Sequence, residues 1–210
     1  LQQLNENNYL LGFENGVYDL KNLQFRPGRP EDYISFSTKI DYTEYAWDHQ
    51  YVIDILKCIG NILTGENVME YVLLTLASFL GGSVKEEKFH IWTGSGSNGK
   101  SKMVELFKNC TGDYYCTLPI TLLTRKRADA NQASPEMAKT KGKRFAVLQE
   151  PDTHTKINVG LMKEITGGDT ISTRQLYQES FEFKPKFKPL LTCNKLPKLP
   201  PDDEAVWRRV

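Results

Sequence analysis

Eight consecutive residues, Gly94, Ser95, Gly96, Ser97, Asn98, Gly99, Lys100 and Ser101, have the types and spacing needed to wrap a phosphate chain. A loop of the form G-x-x-x-x-G-K-[ST] curls backbone N–H groups around phosphate oxygens, and its glycines permit the backbone angles and close approach this requires. Lys100 is placed to neutralise the β- and γ-phosphates, and Ser101 to offer a hydroxyl oxygen to Mg²⁺. The helix that follows aims its positive end at the same anion. With glycine at about 7% of residues, the pattern arises by chance in roughly one chain in a hundred of this length. The chemistry implied is binding of a nucleoside triphosphate with Mg²⁺, and its hydrolysis.

Hydrolysis needs an acid near the metal and the attacking water. The apolar run Phe145-Ala146-Val147-Leu148 leads into Gln149-Glu150-Pro151-Asp152 about fifty residues after the loop. Glu150 is the candidate base and metal-side acid, and Asp152 is a second choice. A polar group that senses the γ-phosphate is also needed. Leu190-Leu191-Thr192-Cys193 is a second apolar run ending in Asn194, whose amide can orient a water molecule.

These groups must sit at the ends of strands. Residues 89–93 read as a short buried strand before the loop and 102–109 as a helix after it. Residues 145–148 and 189–193 read as further core strands, and 159–166 as a helix ended by Gly167-Gly168. Segments 171–176 and 181–183 read as the two strands of a hairpin. Upstream, residues 1–45 alternate apolar and polar positions, and Asn15-Gly16 is a hairpin signal. From 47 the period becomes helical, with Asp48 as the expected cap, and a second helix is expected over 68–80. The expected organisation is a β-rich segment over 1–45, a helical linker or collar over 46–83, and an α/β phosphate-loop ATPase core over 84–210.

The 210 residues are 40% hydrophobic and 25% charged, with net charge +1, so bulk charge does not announce a polyanion partner. Local charge is less even: residues 121–144 hold seven basic residues against two acids, and Lys184, Lys186 and Lys188 interleave with Phe183 and Phe187. Cys58, Cys110, Cys116 and Cys193 are too scattered for a zinc site and read as free thiols. The longest apolar stretch, 71–82, is too short to span a bilayer and no signal peptide is visible. A soluble intracellular protein without a membrane partner is expected, located in the host cytoplasm or at a replication site if viral. A chain starting at Leu1 and stopping just after two arginines reads as a fragment of a longer one.

Taken in order, G-x-x-x-N-G-K-S, an apolar strand plus Glu150, Lys163-x-x-x-Gly167-Gly168-Asp169, an apolar strand plus Thr192-x-Asn194, and Trp207-Arg208-Arg209 resemble a superfamily 3 helicase. More narrowly, the chain is similar to the poxvirus-type primase-helicases of large DNA viruses and their relatives in phages and plasmids. Asn15-Gly16-Val17-Tyr18-Asp19-Leu20 and Asp32-Tyr33-Ile34 resemble the segment preceding the helicase core in that family. The resemblance implies an AAA+-type hexameric ring with ATP between subunits and 3′-to-5′ movement on single-stranded DNA during replication, and it leaves open whether a primase domain precedes Leu1 in the full chain. It assigns Arg209, or its neighbour Arg208, as the finger reaching into the next subunit's site. The segment 168–183 becomes the hairpin in the ring channel, with Arg174 and Tyr177 as DNA contacts and Lys184 or Lys186 as further ones. Two departures stand out: Gln149-Glu150 replaces an acidic pair, and Gln175-Leu176 stands near the lysine-histidine pair of papillomavirus-type hairpins.

Two other readings compete. A GTPase would need a carboxylate at the end of Asn194-Lys195-Leu196-Pro197, where Pro197 stands, and a nucleotide kinase would need a lid with several phosphate-clamping arginines. A nucleotide-binding ring scaffold without unwinding activity would not need Glu150, Asn194 or a finger.

Overall fold

The computed structural model describes residues 4–63, 65–124, 133–149 and 157–210. In chain order the elements are β1 (Leu10–Phe13), β2 (Gly16–Asp19), β3 (Gln24–Arg26), α1 (Gln50–Ile62), α2 (Glu66–Ser78), β4 (His90–Thr93) and α3 (Lys100–Thr111). They continue with β5 (Tyr115–Leu118), α4 (Thr121–Thr124), α5 (Pro135–Ala138), β6 (Phe145–Gln149), α6 (Val159–Gly167), β7 (Ile171–Thr173), β8 (Phe181–Phe183), β9 (Lys188–Cys193) and α7 (Glu204–Trp207). Two compact units divide them: Leu1–Gly81 with Ser97–Asp113, and Gly82–Gly96 with Tyr114–Val210.

The first unit opens with an antiparallel sheet in the order β1-β2-β3. Phe13 pairs with Gly16, so Glu14 and Asn15 form the turn, one residue before the Asn15-Gly16 pair that the sequence pattern suggests. The Asn15 side chain is used elsewhere: its Nδ2 donates to the Tyr42 carbonyl at 3.0 Å and its Oδ1 accepts from the Tyr42 N–H at 2.8 Å. That grip holds the Tyr42 ring stacked on Phe25 at 4.6 Å and edge-on to Phe13 at 5.3 Å, a partly buried aromatic cluster beside the buried Leu10, Leu11 and Val17 of the same sheet. Helix α1 is capped by His49, whose ring accepts from the Tyr51 N–H at 3.2 Å, rather than by Asp48.

Helix α3 closes against the β-rich segment at Gly112. A Cβ there would lie 2.4 Å from the Thr38 main chain, and φ is +49°. Asp113 locks the contact: its N–H donates to the Ser37 carbonyl at 2.8 Å and its carboxylate accepts from the Ser37 N–H at 3.1 Å. Gly112→Ala is therefore expected to cost about 2–4 kcal/mol of unfolding free energy, from the backbone conformation and the clash together, read by urea denaturation.

In the second unit β4, β9, β6 and β5 form a parallel sheet in that order. Residues 145–148 of β6 and 188–191 of β9 are all buried, as strands covered on both faces must be. Ala146, Leu148 and Leu191 meet Met162 and Ile165 of α6, with Phe187 and Val206 completing the core. Asn158 caps α6 by accepting from the Leu161 N–H at 3.1 Å, and Gly168 ends it at φ +74°. Strand β5 is absent from the sequence expectation, and the hairpin strand β7 stops at Thr173 instead of reaching 176.

His90, which opens β4, has its pKa lowered to about 4, first by burial and then by the charges of Lys188 and Lys88. The folded pKa lies below the unfolded value near 6.5, so between these values the unfolded chain takes up a proton that the folded chain refuses. The contribution is complete above about pH 6.5 and is lost as pH falls towards 4, amounting to about 3 kcal/mol. His90→Gln should flatten that part of the stability–pH curve measured by denaturant unfolding.

Candidate functional site

Strand β4 ends at Thr93, and the loop leaves it through Gly94 at φ +154°. Ser97 turns at φ +62°, and Gly99 at φ +85° begins α3. A Cβ on Gly99 would come within 2.7 Å of the Ile62 side chain, so glycine is required for space as well as for backbone angle. Gly99 supplies no side-chain cap, and the positive end of α3 is presented to the loop. Ser95, Gly96, Ser97 and Asn98 are exposed, as is Ser101 in the first turn of α3. Lys100 is half-buried, and its Nζ donates to Asn98 Oδ1 at 2.9 Å, which draws the ammonium back along the loop.

The parallel register brings three strand ends to one edge of the sheet. Thr93 pairs with Cys193, and Gln149 pairs with Thr192, so the start of the loop, Asn194 and the end of β6 share that edge. Asn194 is exposed there. Glu150 and Asp152 lie outside the described residues, as do Arg125, Lys126 and Arg127 of the basic run.

The two arginines at the chain end separate sharply. Arg209 is buried: its Nε donates to Thr166 Oγ1 at 3.2 Å, one terminal nitrogen donates to the Ala205 carbonyl at 2.8 Å, and the other meets Glu87 at 2.9 Å. Arg208 keeps 68% of its side chain exposed and meets the same Glu87 oxygen at 2.6 Å. Helix α7 is itself tied to α6 through Lys163 and Asp203, 2.7 Å apart. The Lys163 ammonium holds the Asp203 carboxyl below the ordinary range, while Asp203 also caps α7 through the Val206 N–H. Nothing in the sequence pattern pointed to Glu87, which lies 121 residues from Arg208 and in no motif.

The hairpin pairs Ile171 with Phe183 and Thr173 with Phe181. Where its strands enter the tip loop it is braced by Thr173 Oγ1 donating to the Ser134 carbonyl at 3.1 Å and by the Ser134 N–H donating to the Arg174 carbonyl at 3.2 Å. Residues 174–180 are all exposed; Tyr177, at φ +61°, is fully so, and Leu176 is 61% exposed. Lys184 is exposed, but Lys186 is 7% exposed, so burial removes it from the surface set that the sequence suggested. Among the described residues no group of His, Cys, Asp and Glu side chains could hold a metal ion by itself. No helix among them is long and apolar enough to cross a membrane.

A parallel α/β sheet with a glycine-rich loop between its first strand and the next helix defines the class. Comparison with known proteins defines the family. Residues 92–209 match the model of a family described as a family of unknown function, DUF5906, and the chain belongs to it. Residues 1–61 match the model described as D5 N terminal like. A protein of Acanthamoeba polyphaga mimivirus, provisionally named a helicase, is 47% identical over 210 residues. One of Invertebrate iridescent virus 6, named in the same way, is 32% identical. A provisionally named primase of African swine fever virus is 24% identical. Each match takes in 99–100% of this chain and 22% of the relative, so the chain spans about a fifth of these proteins. Among solved structures, the apo C-terminal region of NrS-1 superposes with a TM-score of 0.55 at 15% identity, over 93% of this chain and 43% of that one.

Proposed function

We propose that the chain is the nucleotide-hydrolysing part of a replication helicase of a large DNA virus, a superfamily 3, AAA+-type motor that uses ATP and Mg²⁺. The observation carrying this reading is the shared sheet edge, where the start of the loop and Asn194 lie on adjacent parallel strands. Such an edge is where α/β proteins gather the groups that act on bound phosphates. The names of the viral relatives support the replication role.

The residues present fit the nucleotide and its metal. The α3 N-terminus and Lys100 would meet anionic phosphate oxygens, and exposed Ser101 would offer one oxygen ligand. Ser101, with Glu150 as the acid of the set, would hold Mg²⁺ beside the triphosphate. When bound it neutralises charge developing on the transferred phosphoryl group. Asn194 orients the attacking water, Glu150 accepts its proton, and an arginine of the neighbouring subunit completes the site in a hexameric ring.

Single-stranded DNA is the proposed track, travelled 3′ to 5′. The hairpin supports it: an aromatic ring fully in solvent in the tip loop with exposed Arg174, and exposed Lys184 at the opposite end of β8, suit stacking on a base and pairing with phosphate without reading sequence. Tyr177→Ala in the full-length protein is expected to weaken single-stranded DNA binding about tenfold by fluorescence anisotropy, with the unfolding midpoint unchanged. The function itself is tested by titrating the full-length chain with a non-hydrolysable ATP analogue, with and without Mg²⁺. One saturable site per subunit, dependent on the loop, is expected; absence of nucleotide binding would end the reading.

A further inference from the structure

We propose that Glu87 is a positioning residue that sets the reach of Arg208, with Arg209 as the internal anchor of the pair. This rests on the reading of the chain as an ATPase completed by a neighbouring subunit's arginine.

Three observations converge on Glu87. The first is the division of labour between the arginines. Arg209 spends its guanidinium on Thr166, Ala205 and Glu87 inside its own unit, with 10% of its side chain exposed. An arginine so engaged cannot extend to another molecule without leaving buried partners unpaired. Arg208 ends α7 in helical conformation one residue earlier, so its side chain leaves on a different face, towards solvent.

The second is the geometry of the carboxylate. One Glu87 oxygen receives both guanidinium groups, at 2.6 Å from Arg208 and 2.9 Å from Arg209. The buried contact fixes the carboxylate, and the fixed carboxylate orients the exposed arginine. The main chain is held in parallel: Lys88 Nζ donates to the Arg208 carbonyl and the Phe89 N–H to the Arg209 carbonyl, each at 2.6 Å. Position is thereby passed from the residues just ahead of β4 to the end of α7.

The third is backbone strain. Glu87 is not glycine, yet it sits at φ +52°, closing a turn in which its N–H donates to the Val84 carbonyl at 2.9 Å. A left-handed conformation at such a residue persists where surrounding contacts over-determine it, and such residues cluster where a side chain must be aimed. Here the over-determining contacts are the two arginines.

An arginine that stabilises transferring phosphate is worth most when its approach is fixed beforehand. Glu87 supplies this without touching nucleotide, so its loss should lower turnover and spare nucleotide binding. The test uses the full-length protein and Glu87→Gln, which keeps shape and one oxygen acceptor but removes the charge. The expected result is a kcat lowered about tenfold, KM for ATP within about twofold, and recovery on mixing with Lys100→Ala subunits. Those subunits have a disabled loop but an intact Glu87–Arg208 pair to lend to a neighbour. Wild-type kcat in Glu87→Gln alongside an inactive Arg208→Ala would overturn the positioning role and leave the shared-site reading standing. Full activity in both variants, or no ATP hydrolysis by the wild type, would overturn that reading and the proposal with it. A loss that mixing does not recover would make Glu87 merely structural.

Discussion

Replacing Lys100 with alanine in the full-length protein is expected to lower ATP turnover about a thousandfold while leaving the thermal unfolding midpoint within a degree or two. Both halves of that expectation come from where the residue sits. Lys100 is the first residue of α3, half-buried, with its ammonium 2.9 Å from Asn98 Oδ1. Its removal takes a cation from the phosphate-facing end of the helix, yet leaves the Gly99–Ile62 contact and the Gly112–Thr38 closure untouched. Lys100→Arg should not rescue turnover, because a planar fork on a longer stem does not replace a compact ammonium in a tight loop. Steady-state phosphate release with calorimetric unfolding on the same samples checks both parts.

The second large effect separates neighbours. Arg208→Ala should cost about a thousandfold in turnover and under about 1 kcal/mol in stability, since its ion pair with Glu87 is mostly in solvent. Arg209→Ala should instead cost about 3–5 kcal/mol of stability, because it leaves Thr166 and the inward side of Glu87 without a buried guanidinium. Urea unfolding and ATPase assays on the two variants should give opposite patterns. Loss of turnover without loss of stability in Arg209→Ala would exchange the two roles.

The strand-loop-helix around the phosphate loop was legible because its signals are local. An apolar run, a glycine-rich turn and a lysine each act within a few residues, and β4 and α3 fall within about two residues of the expected bounds. Strands β6 and β9 were legible for the same reason, since a central parallel strand reads as an unbroken apolar run. Strand β5, Tyr-Cys-Thr-Leu, was not: it is a sheet edge, short and half-polar, and it follows directly on a helical turn that masks its period. The His49 cap and the Glu14-Asn15 turn were displaced by one residue, because propensity fixes the kind of feature and tertiary contacts its register. Lys186 carries a surface residue's name in a buried position. Glu87 was invisible because its role depends on chain segments 121 residues apart meeting just ahead of β4, which no spacing rule encodes.

The most direct measurement is ATP hydrolysis by the full-length protein with and without single-stranded DNA. The motor reading predicts hydrolysis that rises severalfold on adding single-stranded DNA, with Tyr177→Ala losing the stimulation but not the basal rate and Lys100→Ala losing both. Hydrolysis indifferent to DNA would contradict the track, and no hydrolysis by the assembled wild type would contradict the motor.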